Sequence, residues 1–170
     1  MSIDIMKADL PDMPDEVIDG WLATHYNRFG WPPRVDNEWR YVLRPGNDLS
    51  YLQGLKWQKE AMHLPPQALS PKDLQIVTDL YETHVLNRQT FYTMMMSDGR
   101  ERFTRCCEYL KEHGTFPHPV ILQRRTEGFW ILDGNHRLTA YFHLYGYFNV
   151  GSPESFNLAV KQQQEFWVAS

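Results

Sequence analysis

The amino-acid sequence predicts an α+β fold, in which a mainly helical N-terminal extension precedes a small mixed β-sheet with its helices. Apolar residues recur at helical spacing through much of the first half of the chain. Two short apolar runs, 120–123 and 129–132, flank a charged, glycine-containing turn, which is typical of paired strands. With 42% apolar and 14% aromatic residues, the chain can form a hydrophobic core. We expect a single domain over residues 1–170, with the extension at 1–99 and the core at 100–170.

The N-terminal extension begins with three segments that carry secondary-structure signals. Residues 15–29 present a helical apolar face, which Gly30 and a following Pro-Pro pair end. Residues 35–43 are ambiguous, because their aromatic and apolar residues alternate as in a strand. Residues 49–64 have helical apolar spacing up to a second Pro-Pro pair, so we expect a helix there.

A firmer helix start follows at Ser70-Pro71. Serine at the N-cap, proline at the first helical position and Asp73 two residues later are each favoured at these places. The amphipathic pattern that follows predicts a helix to about Met96. Another helix is predicted over about residues 100–113, with Gly114 as its C-cap.

The predicted strands lead into the stretch around which the chain is organised, residues 129–146, FWILDGNHRLTAYFHLYG. The second strand ends in a tight turn at Asp133-Gly134. A helix then runs from Asn135, its predicted N-cap, to about Tyr145. The C-terminal residues suggest a further strand.

The turn at the head of this helix predicts an anion site. A helix start exposes backbone N–H groups and the positive end of the helix dipole. Gly134 has no side chain to obstruct an incoming group. His136 and Arg137 lie in the first turn, where basic residues do not favour the helix itself. Together these features favour a bound phosphate.

Further residues of the turn can be assigned roles in such a site. The amides after Gly134, including that of Asn135, would hold phosphate oxygens, and Thr139 would add a hydroxyl contact. Asp133, at the strand end, could hold a metal ion or accept a proton. The structural alternative is a capped helix with Arg137 paired at the surface, and an Arg137 guanidinium locked to a carboxylate would argue against the site.

The motif resembles the core of the ParB/sulfiredoxin-like superfamily. The resemblance is carried by residues 119–122 and 130–138 with Ala140, and it covers roughly residues 100–150. It implies a nucleotide-phosphate site at the turn. Members include sulfiredoxins that use ATP, ParB proteins that bind CTP, a free-serine kinase, and plasmid or phage proteins described as nucleases or ATPases.

The sequence departs from individual members of that superfamily. Sulfiredoxins have a cysteine where this chain has Asn135, so sulfinic-acid repair is disfavoured. The Gly-Glu-Arg-Arg box and the downstream helix-turn-helix of ParB partition proteins are absent, which disfavours partition. The free-serine kinase has the most similar turn, but its catalytic glutamate is not identified here; Glu60 and Glu82 are candidates only as upstream acids.

We therefore expect a protein that binds ATP or CTP with Mg²⁺ and hydrolyses the nucleotide or transfers phosphate, with nuclease activity as a variant. Asp133, His136 and Arg137 are the predicted catalytic residues. The alternative is a non-catalytic binding or regulatory protein of a plasmid, phage or secretion system. Its N-terminal half would then form the surface for a protein partner.

Composition restricts the other classes of function. The net charge of −4 does not support general nucleic-acid binding, although residues 100–125 hold six bases against three acids. No apolar run approaches a membrane span and no secretory leader opens the chain, so we expect a cytoplasmic protein.

Adjacent Cys106 and Cys107 do not suit a disulfide. His136 and His143 are two helical turns apart, so we expect no zinc site.

Overall fold

The computed structural model describes residues 3–91, 97–148 and 159–170. The chain forms two compact units, Met1–Gln58 with Trp167–Ser170, and Lys59–Phe166. The described residues form an α+β structure with a four-stranded mixed sheet, as the sequence predicts at that level. No helix in these ranges is both long and apolar enough to cross a membrane.

The first unit is mainly helical. Its helices are α1 (Ile3–Asp9), α2 (Asp15–Val17), a π-helix (Ile18–Leu22), α3 (Ala23–Phe29), α4 (Arg40–Leu43) and α5 (Leu49–Gly54). The run from α2 to α3 confirms the predicted helix, and it ends at Gly30 with φ +72°. Its buried core includes Trp21 and Trp39, which are 1% and 0% exposed. Large apolar side chains therefore hold this unit together.

The structure resolves one ambiguous segment of the first unit and corrects one prediction. Residues 40–43, within the segment whose pattern was ambiguous, form one helical turn; the preceding Trp39 is buried and its Nε1 donates to the Gly30 carbonyl at 2.7 Å. The helix predicted over 49–64 is wrong beyond Gly54, since Trp57–Met62 is strand β1. Lys56, just before β1, exchanges two backbone hydrogen bonds with Ser170, each 3.0 Å long. Pairing with a distant segment thus overrides the local helical pattern.

The remaining elements follow in chain order. They are a 3₁₀ turn (Pro66–Ala68), α6 (Pro71–His84), α7 (Gly99–His113), β2 (Val120–Arg125), β3 (Gly128–Asp133), α8 (Asn135–Leu144) and β4 (Gln164–Ala169). The strand order in the sheet is β1-β4-β2-β3. Strands β2 and β3 pair antiparallel, with Leu122 opposite Ile131, which confirms the predicted hairpin.

In the second unit the predicted start of α6 and the predicted end of α7 are confirmed, and the predicted end of α6 is wrong. Ser70 caps α6, since its Oγ accepts the Asp73 N–H at 3.2 Å. Helix α7 ends at Gly114, whose φ of +75° is left-handed. A Cβ there would lie 2.5 Å from the Ala159 carbonyl oxygen, so glycine is required for space as well as conformation. Helix α6 ends at His84 rather than near Met96, and residues 92–96 lie outside the described part of the chain.

A buried carboxylate connects α6 to strand β3. Asp73 is 0% exposed, and its Oδ1 accepts the Ile131 N–H at 3.1 Å while Oδ2 accepts the Ser70 hydroxyl at 2.5 Å. The Ser70 N–H in turn donates to the Phe129 carbonyl at 2.9 Å. These bonds satisfy two backbone groups on the outer edge of β3, close to its end at Asp133, and connect α6 to the strand that leads into the turn before α8.

Candidate functional site

A cavity of about 620 Å³ lies within the second unit, where α6, α7 and the β3–α8 turn meet. Ile76 and Leu80 of α6 form an apolar wall, and Arg102, Arg105 and Cys106 of α7 form a second wall. The remaining lining is the turn, residues 132–137, together with Asp98 and Pro117. The volume falls in the range of pockets that take small-molecule ligands, about 300–1,000 Å³.

The turn between β3 and α8 is built on Gly134. This residue has φ +102° and is the N-cap of α8, without a side-chain cap. A Cβ at Gly134 would lie 3.0 Å from both Arg137 Nη2 and Val120 Cγ2, so a larger residue would be strained. The N–H groups of residues 135–137 belong to the first turn of α8 and have no acceptor within the helix.

The prediction that Asn135 caps the helix is wrong. The chain turns at Gly134, so Asn135 is already the first helical residue and cannot reach back over the free N–H groups. Its Oδ1 is buried without a hydrogen-bond partner among the described residues. An unsatisfied buried acceptor at the cavity wall is a place where a ligand or water would be expected to donate.

Arg137 lines the cavity but is already engaged by the protein. Its Nη2 forms an ion pair with Asp133 Oδ2, and its Nη1 donates to the His118 carbonyl at 2.7 Å and the Pro119 carbonyl at 3.0 Å. Only 15% of its side chain is exposed. From the sequence, a guanidinium paired in this way was expected to argue against a phosphate site at the turn, and the pairing is present. The contacts of Arg137 hold the turn in place.

Two other residues of the turn were predicted to contact a ligand, and of these Asp133 lines the cavity and Thr139 does not. Asp133 reaches the cavity from the end of β3, 32% exposed and paired through Oδ2 with Arg137. Thr139 is 0% exposed and donates its hydroxyl to the Asn135 carbonyl at 2.8 Å. Thr139 therefore does not line the cavity, because i to i−4 bonding turns its hydroxyl onto its own helix.

His136 lines the cavity as a neutral imidazole. Burial, helped by the nearby His84 and Arg102, lowers its pKa to about 4. Its ring centre lies 5.4 Å from that of His84, whose pKa burial also lowers. His136 Nε2 is buried and has no partner within the described ranges. At neutral pH the residue thus offers hydrogen bonding but no positive charge.

The sequence did not single out the two arginines of α7. Arg102 and Arg105 lie three residues apart, so they share one face of the helix, and both line the cavity. Arg102 Nε donates to Asp98 at 2.7 Å and Arg105 Nη2 to Glu101 at 2.5 Å, each pair lying within α7 and its N-cap. The excess of bases over residues 100–125 was the available signal, but composition did not reveal which ones face the turn.

The thiols are protonated and the candidate glutamates lie away from the cavity. Burial raises the pKa of Cys106, and it raises the pKa of Cys107 to about 12, so both remain protonated at neutral pH. Glu60 pairs with Arg124 and Glu82 pairs with an arginine of the following loop. Neither glutamate lines the cavity.

The cavity offers oxygen ligands for a magnesium ion rather than a closed metal centre. Within the described part of the chain, no group of three or more His, Cys, Asp or Glu residues could hold a metal ion. The carboxylates of Asp98 and Asp133 line the cavity. One or two carboxylates suffice for Mg²⁺ when waters and substrate phosphates provide the other ligands, so the donor types fit the ion. Asp98 is paired with Arg102 and Asp133 with Arg137, so each carboxylate would have to share or exchange its arginine to hold Mg²⁺.

Comparison with known proteins gives no family assignment. No family model, curated protein or solved structure matches the chain.

Proposed function

We propose that the cavity binds the phosphate groups of a nucleotide, ATP or CTP. The observation that carries this proposal is the first turn of α8, whose residues 135–137 line a cavity of about 620 Å³ and whose N–H groups have no acceptor within the helix. Amides at a helix start are a recurrent phosphate site, and the volume suits a nucleotide. The resemblance of the motif to the ParB/sulfiredoxin-like superfamily supports the same ligand class.

The chemistry that the residues support is phosphate transfer or hydrolysis by positioning. The amides of residues 135–137 would hold phosphate oxygens, and neutral His136 would add a hydrogen bond. Asp133 would orient the attacking hydroxyl or water through its carboxylate. When bound, Mg²⁺ would neutralise phosphate charge, held by Asp98 and Asp133. The same arrangement acting on a phosphodiester would be a nuclease.

A second candidate is binding without turnover, as in a regulatory protein. It is favoured by the pairing of Asp133 with Arg137, which leaves the predicted base neutralised by a cation. The protonated thiols of Cys106 and Cys107 also provide no nucleophile. In this case the nucleotide would change the protein's interaction with a partner rather than be consumed.

Thermal unfolding with ATP or CTP, each with MgCl₂, tests the binding proposal. At a ligand concentration of 100 Kd, binding adds about 2.7 kcal/mol to the free energy of unfolding. For a chain of this length that raises Tm by about 5–10 °C. Absence of any shift at millimolar nucleotide would refute the proposal. Phosphate-release and plasmid-nicking assays on the same samples then separate turnover from binding alone.

A further inference from the structure

We infer that Arg102 and Arg105 of α7 supply the positive charge that holds phosphate in the cavity, and that Arg137 is a positioning residue for the turn. This inference rests on the proposed function, because it assigns the cation contacts of that same site. It departs from the sequence motif, which points to Arg137 as the principal phosphate ligand.

The contacts of Arg137 tie three places in the chain together. They join the end of β3 at Asp133 to the carbonyls of His118 and Pro119, which lead into β2. Only 15% of the Arg137 side chain is exposed, so its guanidinium could bind a ligand with both Nη groups only by breaking its bonds to these acceptors. Its charge is also offset by the Asp133 carboxylate at the same wall. Arg137 therefore fixes the turn and, with it, the position of the amides at the start of α8.

Arg102 and Arg105 are held far more loosely. Their side chains are 55% and 69% exposed, and each pairs with an acid one turn earlier in the same helical segment. Exposed ion pairs of this kind contribute little to stability. Either guanidinium can thus exchange its carboxylate for a phosphate oxygen without disturbing the fold, and a guanidinium fork suits phosphate geometry.

The remaining basic group of the wall does not carry charge. His136 is neutral at pH 7, because burial lowers its pKa to about 4. Among the described lining residues, the cations are then Arg102, Arg105 and the engaged Arg137. A multiply charged anion in the cavity requires cationic side chains that are free to reorient towards it, and Arg102 and Arg105 of α7 meet that requirement.

Calorimetric titration with ATP and with inorganic pyrophosphate, both in MgCl₂ at pH 7.5, tests the assignment. Arg102→Gln and Arg105→Gln should each weaken binding at least about 10-fold, the loss typical of a charged hydrogen bond to a ligand. Lys111→Gln is the matched control: it removes one charge from an exposed position on α7 that does not line the cavity. It should change affinity by less than about twofold. All three variants should keep the wild-type melting temperature.

Salt dependence separates a charge contact from a positioning role. Added salt screens the attraction between charges, so log affinity falls with a steeper slope against log salt when cations of the protein contact the phosphate charges of the ligand. Arg102→Gln and Arg105→Gln should reduce that slope. Arg137→Gln, titrated below its lowered melting temperature, should weaken binding with the slope unchanged.

The outcomes distinguish this inference from the proposed function. If wild type binds ATP or pyrophosphate but the two α7 variants bind with unchanged affinity and slope, the assignment is overturned while the nucleotide site stands. The assignment is also overturned if Arg137→Gln alone reduces the slope. If wild type binds none of ATP, CTP or pyrophosphate, the proposed function fails and the assignment fails with it.

Discussion

Acid sensitivity caused by His136 is the sharpest test of the site's electrostatics. Burial lowers the pKa of His136 to about 4, whereas an imidazole in the unfolded chain titrates near 6.5. Between these values the unfolded state binds more protons than the folded state. The free energy of unfolding must therefore fall as pH drops from about 6.5 to about 4, with no contribution from this residue above about pH 7.5.

The size of the effect follows from the difference between the two pKa values. A difference of about 2.5 units at 1.36 kcal/mol per unit gives about 3 kcal/mol for complete protonation. Because the His136 side chain is only partly covered, we take this as an upper bound. Burial also lowers the pKa of His84 and of His143, so these residues destabilise the acid form in the same direction.

Urea unfolding between pH 7.5 and 4.5 measures this quantity, and His136→Gln removes the titrating group. We expect the loss of stability over this range to be about 2–3 kcal/mol smaller in His136→Gln than in wild type. His113→Gln removes an exposed histidine as a control and should follow the wild-type curve. Parallel curves for wild type and His136→Gln would refute a buried neutral His136. An NMR titration of wild type provides an independent check, since a His136 midpoint near 6.5 would also refute it.

Three substitutions test the contacts that position the site. Asp73→Ala should lower the free energy of unfolding by about 2–4 kcal/mol, because it leaves buried donors unsatisfied. Asp79→Ala, at a partly exposed position on the same helix, is the control and should cost little; equal losses in urea unfolding would contradict this. Gln164→Leu should cost about 1–3 kcal/mol, because the buried amide accepts from one backbone N–H and donates to two carbonyls; an unchanged urea midpoint would argue against these bonds. Gly134→Ala should cost about 1–2 kcal/mol because of its left-handed φ, and Gly54→Ala, with open space around it, is the control that should not lower stability. If both alanine variants melt together, the turn is not strained.

Much of the second unit could be predicted from local sequence. The Ser70 cap, the end of α7 at Gly114 and the β3–α8 turn all depend on residues within a few positions of one another. By contrast, strand β1 and the single turn of α4 depend on distant partners, the C-terminal segment and the Gly30 carbonyl. A short apolar pattern cannot report such partners, so periodicity predicted a helix where β1 forms and left the segment of α4 ambiguous.

The candidate site, too, has features that local sequence predicts and features that depend on distant partners. Spacing and backbone preference are enough to predict a glycine turn that opens a helix with His136 and Arg137 in its first turn. The folded structure was needed to show that His136 is neutral, that Arg137 is held by Asp133 and two carbonyls, and that Arg102 and Arg105 line the same cavity. Charge and hydrogen-bond availability depend on burial and on partners distant in sequence, which local patterns do not reveal.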